Sequence, residues 1–194
     1  MRNSDKTQEN LVARFRNRPK PEERGTKFSG DVCCRILKSF LEAEIRPQFR
    51  VSDPNAYIWD CPTEFDLLVI RRDARLKRYT NAFRPEAVLC AVEVKAAGTG
   101  FGSQEDFKKD LHKLREGFKR AKKRFPGLGL LYFTFEESNP KRPDSFRYLT
   151  ETRKALRPFP VFCMADRRTG ELLPGQWRAF VRCVRKSCNR RQGR

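Results

Sequence analysis

Histidine occurs once in the 194 residues, at His112. One imidazole excludes the chemistries that need two, such as histidine-pair ribonucleases and HNH-type nucleases. Cysteine occurs seven times, an odd number with no C-x-x-C pair, so neither a zinc ribbon nor a thioredoxin-like redox centre is written here. The seven are expected as free thiols in a reducing compartment, with Cys33, Cys90 and Cys163 acting as small buried residues and no zinc bound. No run approaches the ~20 apolar residues of a membrane span. The opening MRNSDKTQEN has no apolar signal-peptide region, so a cytoplasmic protein without membrane contact is expected. Walker-type G-x-x-x-x-G-K, the G-x-S-x-G elbow and internal repeats are all absent. Acid is scarce as well: 24 Asp and Glu stand against 43 Lys and Arg, a net charge of +19. Such an excess costs self-repulsion on folding and implies a polyanionic partner.

The apolar residues that remain are ordered. Residues 1–26 are polar and read as a basic arm carrying Arg14, Arg16, Arg18 and Lys20, with a short helical piece around 11–15. Val32, Ile36, Leu37, Phe40 and Leu41 then recur at helical spacing, with Ser29 as N-cap and Pro47 as the stop. Phe49 and Val51 suggest a short strand before the turn at 52–55. EFDLLVIR (64–71) and AVLCAVEVKA (87–96) are strands, the second apolar on both faces as in a covered sheet. A basic link, 72–85, joins them. Gly98, Gly100 and Gly102 break the pattern, Ser103 opens a long helix, and Phe107, Leu111, Leu114, Phe118, Ala121 and Phe125 form its apolar stripe. LGLLYFTF (128–135) is another buried strand, 146–156 a helix, PVFCM (160–164) a strand, and 177–184 a short helix or strand. The expected organisation is a single α/β domain over 27–184, a central mixed sheet flanked by helices, with the arm before it and a basic tail over 185–194.

Within this frame three charges are out of place. Glu93 and Lys95 lie two apart on an apolar strand and leave the same face, while Val92 and Val94 fill the other. Asp66 sits among Phe65, Leu67, Leu68 and Val69. Buried charges are costly unless paired or used. The pair Asp106 and Lys108 has the same spacing as Glu93 and Lys95, but at a helix start, where both are ordinary solvated residues. Two carboxylates can hold Mg²⁺ through hard oxygen ligands, and a nearby lysine can orient a water or stabilise transition-state charge. The bland alternative is a buried ion pair between Lys95 and one of the acids.

The order helix, Asp-bearing strand, strand with E-x-K, helix, strand resembles the PD-(D/E)XK, or restriction-endonuclease-like, nuclease superfamily and its αβββαβ core. Residues 30–98 also resemble an uncharacterised bacterial family within it, through Thr63 to Asp66 and Pro85 to Lys95. The resemblance implies metal ligation by Asp66, Glu93 and the Val94 carbonyl, catalytic roles for Asp66, Glu93 and Lys95, Mg²⁺ or Mn²⁺ as cofactor, and phosphodiester hydrolysis of nucleic acid, DNA before RNA. Many members carry a glutamate in the first helix; Arg35 aligns there, so Asp31 or Glu42 would substitute, with Asp31 the candidate kept. Gln104 and Lys108 could serve at the start of the following helix, and the 98–100 loop could approach phosphate or be a flexible link. Lys108, Lys109, Lys119, Arg120, Lys122 and Lys123 on the long helix are the expected nucleic-acid contacts, and a homodimer could cut both strands. Two other functions remain open: an inactive nucleic-acid-binding module of the same fold, and a basic RNA-binding protein in which the three charges are structural.

Overall fold

Helices form where apolar residues recur at three- and four-residue spacing, and strands where β-branched and aromatic runs stand between turn formers. The computed structural model describes residues 3–19, 26–77, 80–97, 104–137 and 148–190. In chain order its elements are α1 (Asn3–Arg16), α2 (Thr26–Glu44), β1 (Phe49–Val51), β2 (Ala56–Ile58), β3 (Glu64–Phe65), β4 (Leu67–Arg71) and β5 (Ala82–Phe83). A 3-10 turn (Pro85–Ala87) leads into β6 (Val88–Ala97), followed by α3 (Gln104–Arg124), β7 (Gly129–Glu136), α4 (Tyr148–Ala155), β8 (Val161–Ala165) and α5 (Gln176–Arg190).

The main sheet has the order β1-β4-β6-β7-β8. Its first three strands pair antiparallel, with Leu67 opposite Val92, and β6, β7 and β8 pair parallel, with Glu93 beside Tyr132 and Lys95 beside Thr134. Parallel neighbours need crossovers, which α3 and α4 supply. One face is covered by α1, α2 and α5, whose Phe15, Leu37, Leu41, Trp177 and Phe180 meet Val92, Phe133 and Phe135. On the other, Phe118 and Ala121 of α3 meet Leu68, Ala91 and Leu130. Further along α3, Phe107 and Leu111 gather with Tyr148 and Leu156 around Tyr132.

Five parts of the chain differ from the sequence expectations. Residues 3–16 are a full helix set into the core: Leu11 and Phe15 are buried, and Phe15 stacks on Phe135 at 4.5 Å between ring centroids. Its buried Gln8 donates to the Met164 and Leu173 carbonyls and accepts from the Trp177 N–H at the start of α5, so the helix is tied in by polar bonds too. At the other end, 185–190 continue α5, with Cys188 buried and Arg185 bonded to Glu44. The link over 72–85 contains β5, which joins β2 and β3 in a second small sheet. And α2 opens at Thr26, which puts Ser29 inside the helix instead of at its cap. The strand expected over 64–71 is two strands in different sheets, and Asp66 is the single residue between them.

Candidate active site

The site is assembled by strand alternation and one break. Val94 is buried on the α2 side, so Glu93 and Lys95 leave β6 on the other face. Extending the antiparallel register from Leu67 and Val92 by one residue sets Asp66 across from Glu93. Because β4 begins only at Leu67, Asp66 is free of regular pairing, and its Oδ2 accepts a 2.6 Å hydrogen bond from the Val94 N–H. Lys95 Nζ donates to Glu93 Oε1 at 2.5 Å. The Glu93 side chain is 15% exposed and that of Lys95 36%, a partly dry pocket with an opening.

Electrostatics follow from that packing. Burial, then the charge of Glu93, pushes the Asp66 carboxyl up to about 6, with Glu64 adding to the rise, although Lys95 and the Val94 N–H favour the charged form. For Lys95, burial disfavours the ammonium, but Glu93 and Asp66 outweigh it and hold its pKa above the ordinary lysine range. The lysine is therefore a fixed cation, and two acids in one dry place repel each other. This donor set fits a hard divalent cation, which would relieve the repulsion. Among the described residues no group of three or more His, Cys, Asp or Glu is arranged to hold a metal. A cation here would thus rest on two carboxylates and be completed by backbone, water or substrate oxygens, a set that suits Mg²⁺.

No protein-family model matches the chain, and no curated protein does. Solved structures do. NucC of E. coli MS115-1 in its cAAA-bound form superposes with a TM-score of 0.59 at 12% identity, covering 95% of this chain and 89% of that one. The apo form of the same protein gives 0.52 at 12% identity, over 96% and 89%. NucC of P. aeruginosa ATCC27853, cAAA-bound, gives 0.55 at 11% identity, over 95% and 90%. NucC is a nuclease of the PD-(D/E)XK type. The fold is that of the PD-(D/E)XK nucleases.

On this PD-(D/E)XK scaffold the other expected residues fall as follows. Asp31, in the first turns of α2, is half-buried and accepts from Asn55 Nδ2 at 3.0 Å; the Asn55 N–H in turn donates to the Asp66 carbonyl at 3.2 Å. Asn55 thus ties the first helix to the backbone of Asp66. The Cys34 thiol is raised by burial and then by the charges of Asp66, Cys33, Asp31 and Glu93. Glu42 is exposed and accepts from the Val51 N–H, and Arg35 is exposed. Gln104 is the first residue of α3, and the 98–103 loop lies outside the described residues.

Lys108, Lys109, Lys119, Arg120, Lys122 and Lys123 are all exposed on α3. Some are engaged locally: Lys109 with Glu105, Lys119 with Glu116, and Lys122 with the Leu128 carbonyl. His112 is exposed, and among the described residues no helix is long and apolar enough to cross a membrane.

Sequence reasoning missed three features. Asn55 has φ of 61°, a turn conformation that asparagine tolerates, and only the fold reveals its bridging role. Tyr132, within the segment expected as a buried strand, is the β7 neighbour of Glu93. A groove of about 650 Å³ lies at the far end of β4 from Asp66, roughly 16 Å along the strand. Its charged and aromatic lining is Trp59, Arg71, Arg75, Lys77 and Arg84 together with the acids Asp73 and Glu86, and Lys77 Nζ lies 4.1 Å from the indole centroid.

Proposed function

We propose that this protein is a metal-dependent endonuclease that hydrolyses phosphodiester bonds of nucleic acid, with DNA as its substrate. The observation that carries the reading is the meeting of Asp66, Glu93 and Lys95 in one part-buried pocket, in the order acid, then Glu-x-Lys, on this fold. Mg²⁺ or Mn²⁺, held by Asp66, Glu93 and the Val94 carbonyl, would supply Lewis acidity at the phosphoryl group and acidify a water. Asp66 is oriented before any ligand arrives, because the Val94 N–H occupies Oδ2 and leaves Oδ1 available. Glu93 divides its carboxylate between ligand and Lys95. Lys95 has N–H donors beyond the one given to Glu93, and these orient the attacking water or steady the charge on phosphate as the leaving oxygen departs.

Affinity for the substrate comes from the basic surface. From Lys108 to Lys123 the helix rises about 22 Å, roughly six base pairs of duplex at 3.4 Å each, so its cations can meet several phosphates. These contacts carry no sequence preference. The protein acts in the cytoplasm, and a homodimer would present two such pockets to the two strands.

Two of the structural neighbours hold cAAA. The Trp59 groove, with an aromatic plane and four cationic side chains against two carboxylates, supports a second role for a nucleotide ligand of that kind as a bound regulator. The test of the main reading is cleavage of supercoiled plasmid with Mg²⁺ or Mn²⁺ against chelator. Folded, metal-saturated protein that leaves DNA and structured RNA intact would replace it with the inactive binding module; selective binding of RNA would favour the third alternative.

A further inference from the structure

The hydroxyl of Tyr132 has no hydrogen-bond partner among the described residues, although the atom is buried and the residue is 1% exposed. Buried polar groups are nearly always bonded, so an orphan asks for an explanation. Phe107, Leu111, Tyr148 and Leu156 gather around the ring, and none of them bonds the hydroxyl. Its position is informative. Tyr132 is the β7 partner of Glu93, on the face from which Glu93 and Lys95 project. Burial raises its pKa, and Lys95, Glu93 and Asp66 are all close enough for their charges to act on it.

The acid–lysine pair sets up a conflict that this hydroxyl can resolve. Without a cation, Lys95 donates one hydrogen bond to Glu93. A cation that shares the Glu93 carboxylate weakens it as the partner of Lys95, so in a partly dry pocket the ammonium gains from a second acceptor. Thr134, the neighbour of Lys95 on β7, already donates its hydroxyl proton to the Glu136 carbonyl at 2.8 Å. The Tyr132 oxygen is a buried acceptor not yet used.

Resting on the nuclease reading above, we infer that Tyr132 is a positioning residue: its hydroxyl oxygen accepts from the Lys95 ammonium when a divalent cation occupies Asp66 and Glu93, and so fixes that ammonium beside the reacting phosphate.

Tyr132→Phe is the test, with Tyr57→Phe as control, since the Tyr57 hydroxyl bonds Glu64 at the surface. Tyrosine difference absorbance is followed as Mg²⁺ is added to wild type and both variants, beside plasmid cleavage kinetics and thermal midpoints. Wild type and Tyr57→Phe should give a saturable tyrosine difference signal that Tyr132→Phe lacks. Tyr132→Phe should lose kcat by about 10- to 100-fold with KM little changed, the size of a misplaced catalytic group, and its thermal midpoint should not fall. A Tyr132→Phe protein with wild-type kcat overturns the inference, as does a difference signal that survives the substitution. A midpoint several degrees lower also overturns it, because the hydroxyl would then have a structural partner. Wild type that neither binds Mg²⁺ nor cleaves removes the nuclease reading and this inference together; active wild type with an unaffected variant removes this inference alone.

Discussion

Replacing Asp66 by asparagine distinguishes a working site from a structural ion pair by the sign of a stability change. The Asp66 carboxyl is raised from 3.8 to about 6, chiefly by burial and by Glu93. An acid whose folded pKa lies above its unfolded one is held more favourably protonated. Its contribution is fully present below about pH 4 and is lost as pH rises through 6, which leaves the folded protein about 3 kcal/mol worse off at neutral pH. Asparagine keeps the shape and an oxygen for the Val94 N–H but carries no charge. In chelator at pH 7 to 8, Asp66→Asn should therefore be more stable than wild type by roughly 1–3 kcal/mol, a rise in Tm of about 3–9 °C for a chain of this size. The gap should close as pH falls toward 4. Added Mg²⁺ should reverse the order, stabilising wild type and not the variant, and the wild-type gain should weaken below about pH 6 as protons compete for the ligand. Thermal and urea unfolding across this pH range, with and without Mg²⁺, is the measurement. If the three charges were only a buried pair, Asp66→Asn would instead lose several kcal/mol at neutral pH, in line with the ~3–5 kcal/mol cost of breaking such a pair. That loss would refute the argument.

Four further outcomes are expected. Lys95→Ala should bind Mg²⁺ nearly as wild type does yet cleave about 10²- to 10³-fold more slowly, measured by calorimetry beside plasmid nicking. Log affinity for DNA should fall steeply and linearly with log salt; the joint Ala variant of Lys119, Arg120, Lys122 and Lys123 should bind all sequences more weakly with a shallower slope, and a flat profile between low and physiological salt would reject the basic-surface argument. Phe15→Ala should cost about 3–5 kcal/mol, because the ring is stacked in the core, and a change under 1 kcal/mol in urea unfolding would return residues 3–16 to the status of an arm. Thiol titration of native protein should find one readily reacting cysteine, the half-exposed Cys183, with the six buried ones reacting after denaturation, and metal analysis should find no stoichiometric zinc.

The residues that were legible in the sequence are those whose local context contradicts their chemistry. Glu93 and Lys95 stood out because alternation in β6 put two charges on a face that ought to have been apolar. Asp66 stood out for the same reason, but its exact setting did not. That Phe65 and Leu67 would serve different sheets depends on pairing with Ala56 and Val92, partners that no local pattern names. The small sheet was illegible because β2 and β5 are three and two residues long and are held by turns in which Asn55 and Asp60 take left-handed backbone angles. In α1 and α5 the apolar stripe is narrow and the outer faces are so basic that composition read as arm and tail. Yet Leu11, Val12 and Phe15, and Trp177, Phe180, Val184 and Cys188, keep helical spacing. Tyr132 and Asn55 were invisible for a deeper reason: a bridging or orphaned polar group is defined by what other segments bring, or fail to bring, to it.

The single-residue joint at Asp66 also bears on which changes of length the chain tolerates. A residue spans at most about 3.5 Å of extended chain, so there is no slack between Phe65, paired in the small sheet, and Leu67, paired in the large one. Inserting or deleting one residue there would force one of the two strands out of register by a step that turns its whole buried face outward. In a scan of single-residue insertions, positions 64 to 67 should tolerate nothing, whereas the exposed stretch around Asp73 should accept additions freely, although both lie within ten residues of each other.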